Sequence, residues 1–218
     1  MTAQSHAAAS FLSRFGPPHL AAAVVVMILY VIQAELRFGS KARASKPGAA
    51  DRGSTWVLSY AVVIPIMGLV FAIEFYTSSS TQGLAFFGPS SPAAMPGMPA
   101  VAWLGVAAGT LGLALRLWAV LTLRERFTRT LLVHDNQALE RRGPYRIVRH
   151  PGYLGSLLTL NGIALATGNA VVFIASVVVI GAAYIYRIRA EDAMLIAAFG
   201  APYESYRREV RAIIPFVW

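Results

Sequence analysis

The chain contains no cysteine. That excludes disulfides, thiolate metal sites and a cysteine nucleophile, and it leaves the compartment open. Charge is scarce too. Asp, Glu, Lys and Arg make up 13% of the 218 residues, and the acids are outnumbered 10 to 19 by the bases. Apolar side chains fill the space, 56% of the sequence, for a mean hydropathy of +0.57. This profile argues against a soluble domain and predicts an all-α integral membrane protein. A formal net charge of +9 would point to nucleic acid in a soluble chain. Here the bases lie in short loops between apolar runs, so topology and lipid headgroups account for them and no nucleic-acid partner is expected. His19, His134 and His150 lie far apart with no Asp/Glu cluster beside them, so no metal site is expected. Met1 to Ser10 lacks the basic start of a secretory signal.

Five apolar runs organise the chain. Leu20 to Leu36 is just long enough to span a bilayer as a helix. Trp56 to Tyr76 carries Pro65, which predicts a kink because its ring removes a hydrogen bond one turn back. Ala100 to Leu123 carries Gly105 and Gly109, spaced to admit a neighbouring helix. Arg116 in the same run is either a functional intramembrane charge or a side chain snorkelling to the rim. Tyr153 to Ala166 and Ala170 to Tyr186, joined by Thr167-Gly168-Asn169, predict a tight helical hairpin. Beyond them, Arg187 to Phe199 reads as an interfacial helix, Gly200 as its stop and Pro202 as the start of another short helix. Ile213 to Trp218 reads as an apolar anchor.

The loops alternate in charge. Residues 37–55 carry Arg37, Lys41, Arg43, Lys46 and Arg52 against Asp51. Residues 77–99 carry no charged side chain, with Leu84-Ala85-Phe86-Phe87 placed to dip into the interface. Residues 124–150 carry a string of arginines against Glu125, Asp135 and Glu140. The positive-inside rule then predicts five membrane segments, the N-terminus outside and the C-terminus in the cytoplasm.

The stretch from Gly143 to Gly155 is the most distinctive. Pro151 suits the first turn of a helix, where its missing N–H costs nothing, and such a helix start binds carboxylates or phosphates. Tyr145, His150 and Tyr153 add aromatic faces and polar tips; Arg146 and Arg149 add charge. The same residue types also suit the rim of a membrane helix. Downstream, Arg187 and Glu191 are four residues apart and share a helix face, where an ordinary surface pair is worth about 0.2–0.5 kcal/mol.

Taken together, Gly143-Pro144-Tyr145, Arg149-His150-Pro151-Gly152-Tyr153-Leu154-Gly155, Arg187, Glu191-Asp192, Phe199-Gly200, Tyr203, Tyr206 and Pro215-Phe216 resemble the isoprenylcysteine carboxyl methyltransferases and their prokaryotic relatives. Membrane phospholipid methyltransferases share the Arg-His-Pro and paired-acid core more distantly. The likeness runs from about Phe127 to Trp218; the first three helices match only as generic spans. It implies S-adenosyl-L-methionine at the cytoplasmic face, with S-adenosyl-L-homocysteine as product. By position, Gln137, Ala138, Leu139, Glu140, Tyr145, His150, Pro151, Gly152 and Tyr153 are expected to touch the cofactor. Arg187 and Glu191 are the expected catalytic pair, Arg187 gripping an acceptor carboxylate through two parallel bonds and Glu191 also meeting the cofactor's ammonium or ribose. The sequence departs from the family in having Gln137 where His is usual and Asp192 where Glu is frequent; His134 is a possible substitute for the former.

The resemblance divides the chain into residues 1–123, facing lipid and acceptor, and residues 124–218, holding the cofactor. The implied acceptor is a prenylcysteine-like carboxylate entering from the bilayer, with the Gly105/Gly109 face or the Pro65 kink offering a lateral gap. Three other readings stay open: a phospholipid amine or thiol methyltransferase, an NADPH enzyme like the sterol reductases, which share this C-terminal architecture, and a non-catalytic lipid-binding protein. Whether Arg116, His134 or Asp192 joins the site is also open.

Overall fold

Seven α-helices lie among the described residues. The computed structural model describes residues 17–36, 53–77, 82–123 and 139–213, among which no β-strand occurs. Helix α1 spans Pro18–Leu36, α2 Ser54–Ala61, α3 Val63–Thr77 and α4 Ala100–Leu123. Helix α5 spans Pro151–Ala166, α6 Ala170–Phe199 and α7 Ala201–Glu209. Short 3₁₀ turns lie at Gln82–Phe87 and Gly143–Arg146. Among the described residues, three helical stretches are long and apolar enough to cross a membrane: Ser54–Thr77 (α2 and α3 together), Ala100–Leu123 and Ala170–Phe199. Pro18–Gln33 is a shorter apolar helix.

Along α4, burial is sorted by size rather than by polarity. The buried residues of α4 are Ala102, Gly105, Gly109, Gly112, Arg116, Ala119 and Val120. Its large apolar side chains point outward, Leu111 being 69% exposed and Leu104 65%. Small residues inside and large apolar ones outside is how helices pack when lipid, not water, is the solvent. The fold is that of an integral membrane protein.

The tightest seam joins α4 to α5. A Cβ at Gly105 would lie 2.6 Å from the Ala166 nitrogen and from the Gly162 carbonyl oxygen. One at Gly112 would lie 2.6 Å from the Gly155 carbonyl, and one at Gly155 equally close to the Gly112 carbonyl. The glycine face is therefore filled by α5 and offers no lateral gap, contrary to the sequence-based expectation. Thr159 Oγ1 adds a hydrogen bond of 3.2 Å to the Gly109 carbonyl across the seam. Around it, Leu20, Ala23 and Val26 of α1 pack with Leu69 and Ala72 of α3 and with Ile163 and Ala166 of α5. Ala61 of α2 packs with Leu160, Ile180, Ala183 and Tyr184 of α5 and α6.

The Pro65 kink appears as a break at Val62, between α2 and α3. Proline lacks the N–H that would have bonded the Ala61 carbonyl, so the interruption falls one turn upstream of the ring. At the hairpin tip Gly168 takes a positive φ of 70°. Asn169 Oδ1 then caps α6 by accepting from Val171 N at 3.0 Å and Val172 N at 3.1 Å. Asn169 Nδ2 donates to the Phe86 carbonyl at 2.8 Å, tying the uncharged segment 82–99 to the hairpin. Phe86 and Phe87 pack edge to face, and Phe87 meets Phe71 of α3.

One boundary differs from expectation. The fifth apolar run and the interfacial helix after it form a single helix, α6, of 30 residues. No glycine or proline lies between Tyr186 and Phe199 to interrupt it. At about 1.5 Å per residue it is about 45 Å long, against a hydrocarbon core of about 30 Å, so one end must leave the apolar slab. That end carries Arg187, Glu191 and Asp192. Gly200 ends the helix with φ 58° as anticipated, and α7 follows at once.

Candidate active site

Three pieces of chain meet where α5 begins. The 3₁₀ turn Gly143–Arg146 leads into His150 and Pro151, which set the start of α5. The charged end of α6 lies alongside. The segment after α7 returns to the same place: Arg149 N donates to the Arg211 carbonyl at 2.8 Å and His150 N to the Ala212 carbonyl at 3.0 Å. Ala212 and Ile213 pack with Ile188, against Tyr153, Leu154 and Leu157. These apolar contacts keep water from the inner side of the junction.

His150 is 5% exposed and serves as neither a backbone cap nor a free surface group. Its Nε2 lies 2.9 Å from Asp192 Oδ1 and its Nδ1 3.5 Å from Glu191 Oε2. The imidazole stacks on the Tyr153 ring, with centroids 5.5 Å apart and planes 9° from parallel. Tyr153 Oη accepts a hydrogen bond from Arg187 Nε at 3.0 Å. Arg187, 3% exposed, also donates from Nη1 to Ser54 Oγ and Thr55 Oγ1, each at 2.8 Å. The structure thus brings His150, Tyr153, Arg187 and Glu191 together.

Two details change the expected roles. The Nε proton and both Nη1 protons of Arg187 are committed to hydroxyls, so a parallel two-bond grip on a carboxylate requires one of these contacts to open. Asp192 is a hub of protein contacts. It binds His150, takes Arg149 Nη2 at 2.9 Å and accepts the Tyr203 hydroxyl. Arg149 Nη1 meanwhile donates to the Val210 carbonyl at 2.5 Å, so the motif arginine ties α6 to the tail. The sequence shows an acid shorter than the family's usual one and gives no sign that three residues from two segments converge on it.

Glu191 has the opposite surroundings. Among the described residues its Oε2 is buried without a hydrogen-bond partner. His150 Nδ1 approaches that oxygen only to 3.5 Å, beyond the usual length of a hydrogen bond, and acts on it chiefly through charge. A buried carboxylate oxygen held in this way costs free energy unless something arrives to meet it.

The remaining expected cofactor residues fall on the rim. Tyr145 is buried, and its carbonyl accepts the Tyr206 hydroxyl at 2.5 Å. Burial, and then the Glu191 charge, push its phenol well above the ordinary range, so it stays a neutral donor. Glu140 folds back on its own loop, accepting from Arg142 Nε at 2.9 Å and from the Arg142 and Arg141 nitrogens at 3.1 and 3.2 Å. The Arg142 hydrogen bond holds its carboxyl below the usual range. Leu139 is half-buried beside it, and Pro151 and Gly152 are buried in the first turn of α5. Gln137, Ala138 and His134 lie outside the described residues. On the outer side, Arg141, Arg142, Gly143, Arg146, Tyr206, Glu209 and Val210 line an open cavity of about 450 Å³.

Arg116 does not snorkel. It is 9% exposed, donates to Ser156 Oγ at 2.6 Å and reaches toward the Gly152 carbonyl at 3.4 Å. Its guanidinium lies 5.2 Å from the Tyr30 ring centroid. A cation thus sits under the first turns of α5, braced by α1.

Burial would push the His150 imidazole down, but the Asp192 hydrogen bond and the Glu191 carboxylate outweigh it and hold the group up at about 9. The ordinary value is about 6.5. The folded protein therefore binds a proton more tightly than the unfolded chain. The stabilisation, about 3 kcal/mol at full size, is complete below pH ~6.5 and disappears as pH rises through ~9. The thermal midpoint of the purified protein should fall across that window, and His150→Gln should flatten the slope.

Comparison with known proteins bears on this geometry. The family model described as phospholipid methyltransferase matches residues 100–202. A rice protein (Oryza sativa subsp. indica), "Probable protein-S-isoprenylcysteine O-methyltransferase", is 32% identical over 119 residues, 54% of this chain and 62% of that protein. "Protein-S-isoprenylcysteine O-methyltransferase B" of Arabidopsis thaliana is 32% identical over 127 residues, 56% of this chain and 64% of that one. These matches span less than two thirds of either relative. The solved structure of a eukaryotic intramembrane Ras methyltransferase, isoprenylcysteine carboxyl methyltransferase, superposes with a TM-score of 0.62 at 19% identity. It covers 95% of this chain and 71% of that one, and shows the fold. The matched region begins at Ala100, upstream of the Phe127 limit, and so takes in α4 as well as the motif it packs beneath.

Proposed function

We propose that this chain is a membrane methyltransferase of the isoprenylcysteine carboxyl methyltransferase kind, as its similarity to such proteins supports, and that it moves a methyl group from S-adenosyl-L-methionine to a lipophilic carboxylate, forming a methyl ester. The observation that carries this is the meeting of His150, Tyr153, Arg187 and Glu191 at one junction, with a buried Glu191 oxygen still lacking a hydrogen-bond partner. An ammonium or ribose hydroxyl satisfies such an oxygen, so the donor set fits the cofactor. Glu191, His150 and Tyr153 would hold it, with Tyr145, Pro151, Gly152 and residues 137–140 along its edge. When bound, the cofactor supplies a methyl group activated by a sulfonium.

The chain's own residues then have a limited task. A carboxylate acceptor is already anionic and needs no general base, which suits a site without a catalytic triad. Arg187 attracts and orients the acceptor, Glu191 fixes the donor, and the packed tail keeps water out. Alignment of this kind is worth about 7–11 kcal/mol. The acceptor is lipid-borne, prenylcysteine-like, and approaches from the bilayer along the helices of residues 1–123. The division at residue 124 is one of role, since α4 and α5 pack as one unit. The His150 end faces the cytoplasm, with the N-terminus outside and the C-terminus inside.

The description of the matching family model favours a second acceptor class, a phospholipid amine. Membranes containing the protein, given methyl-labelled S-adenosylmethionine with a prenylated cysteine derivative or native lipid extract, decide between the two. Label released as methanol by mild base identifies an ester, as expected. Base-stable label in phospholipid identifies the amine reading. No label in any lipid contradicts both.

A further inference from the structure

We infer that Ser54 and Thr55, the first residues of α2, are positioning residues for Arg187 and so bring the N-terminal half of the chain into acceptor binding. They lie outside the matched region of residues 100–202. Both hydroxyls accept from the same nitrogen, Arg187 Nη1, at 2.8 Å, across more than 130 positions of sequence. Ser54 is 0% exposed and Arg187 3%, so water competes little for these bonds. On the other side Tyr153 Oη takes Nε at 3.0 Å. The guanidinium is thus held between α2 and α5 as well as by its own helix. Three contacts from two sides fix the plane of a flexible side chain that would otherwise lose rotamer entropy each time an acceptor bound.

The chemistry suits the task. A hydroxyl accepts from the guanidinium without cancelling its charge, whereas a carboxylate partner would neutralise it and compete with the acceptor. The Ser54 and Thr55 hydroxyls orient Arg187 without themselves adding a negative charge beside it. Gly53, with φ 74°, turns the chain into α2 immediately before the two hydroxyls. Break or shift that turn and the frame moves with it.

The inference rests on the methyl-transfer reading for its kinetic test. Ser54→Ala combined with Thr55→Val removes both acceptors while keeping helix and shape. Acceptor kcat/KM should fall about ten- to a hundredfold, the factor for losing hydrogen bonds to a charged group, while S-adenosylhomocysteine affinity stays within about twofold. Thr55→Ser, which keeps the hydroxyl, should retain most of the activity. Wild-type kinetics in the double variant overturn the inference. So does a loss of cofactor affinity parallel to the loss of activity, with Thr55→Ser equally impaired, because that is the signature of general disruption. A wild-type protein that methylates nothing contradicts the methyltransferase reading instead. The frame is then read from a double-mutant cycle of Ser54→Ala and Arg187→Lys on the thermal midpoint, where additivity overturns it.

Discussion

Glu191→Gln should reduce methyl transfer by about a hundred- to a thousandfold, the scale of a desolvated charge losing its partner. The side chain keeps its size, so packing is preserved. What goes is the negative charge on a buried oxygen that no described protein group satisfies. The loss should appear as weaker S-adenosylhomocysteine binding, measured alongside turnover. Asp192→Asn, one residue on, should behave differently. Arg149, His150 and Tyr203 all bind Asp192, so its substitution leaves buried donors and a guanidinium unmatched. It should lower the thermal midpoint first and activity only with it. Turnover, binding and melting measured on the same preparations separate the two adjacent acids.

The second large effect lies in the α4–α5 seam. Gly162→Val should prevent recovery of a monodisperse folded protein. Even its Cβ would fall 2.5 Å from the Gly109 nitrogen and 2.6 Å from the Gly105 carbonyl oxygen, and both obstacles are backbone. A flexible side chain could swing aside; two helix backbones in contact along their length cannot. Forced overpacking of a core typically costs about 1–3 kcal/mol, and more where no relaxation is possible. Gly181 provides the control. It sits in α6 with nothing within 4 Å of an added Cβ, so Gly181→Ala should be neutral or slightly stabilising through helix propensity. Size-exclusion profiles and thermal midpoints of the two variants test the contrast.

Local chemistry is what the sequence made legible. Pro65 located the break between α2 and α3 to within a turn, since the lost hydrogen bond is fixed by covalent structure. Thr167-Gly168-Asn169 located the hairpin because glycine permits the positive φ and asparagine caps the next helix. The Gly105/Gly109 spacing announced close helix packing, though not that α5 would fill it. Motif resemblance draws His150, Tyr153, Arg187 and Glu191 together, and they meet at the start of α5. The rest depends on encounters between distant segments. Nothing in residues 53–56 announces that their hydroxyls reach Arg187. Nothing near Arg211 announces that its carbonyl closes on Arg149. The role of Asp192 likewise follows from Arg149 and His150, just before α5, and Tyr203, on α7, arriving at it from two separate segments. The join between the last apolar run and the tail helix is not legible in the sequence, because the change in polarity at Arg187 looks like a boundary. A helix continues through such a change when no residue breaks it.

The proposed function requires that His150, Tyr153 and Glu191, at the start of α5, hold the adenosyl cofactor. Calorimetric titration of S-adenosylhomocysteine, and separately of NADPH, into the purified full-length protein tests it most directly. The expected result is saturable one-site binding of S-adenosylhomocysteine, none of NADPH, and loss of the first signal in Glu191→Ala. Binding of NADPH alone, or S-adenosylhomocysteine binding untouched by both Glu191→Ala and His150→Ala, would contradict it.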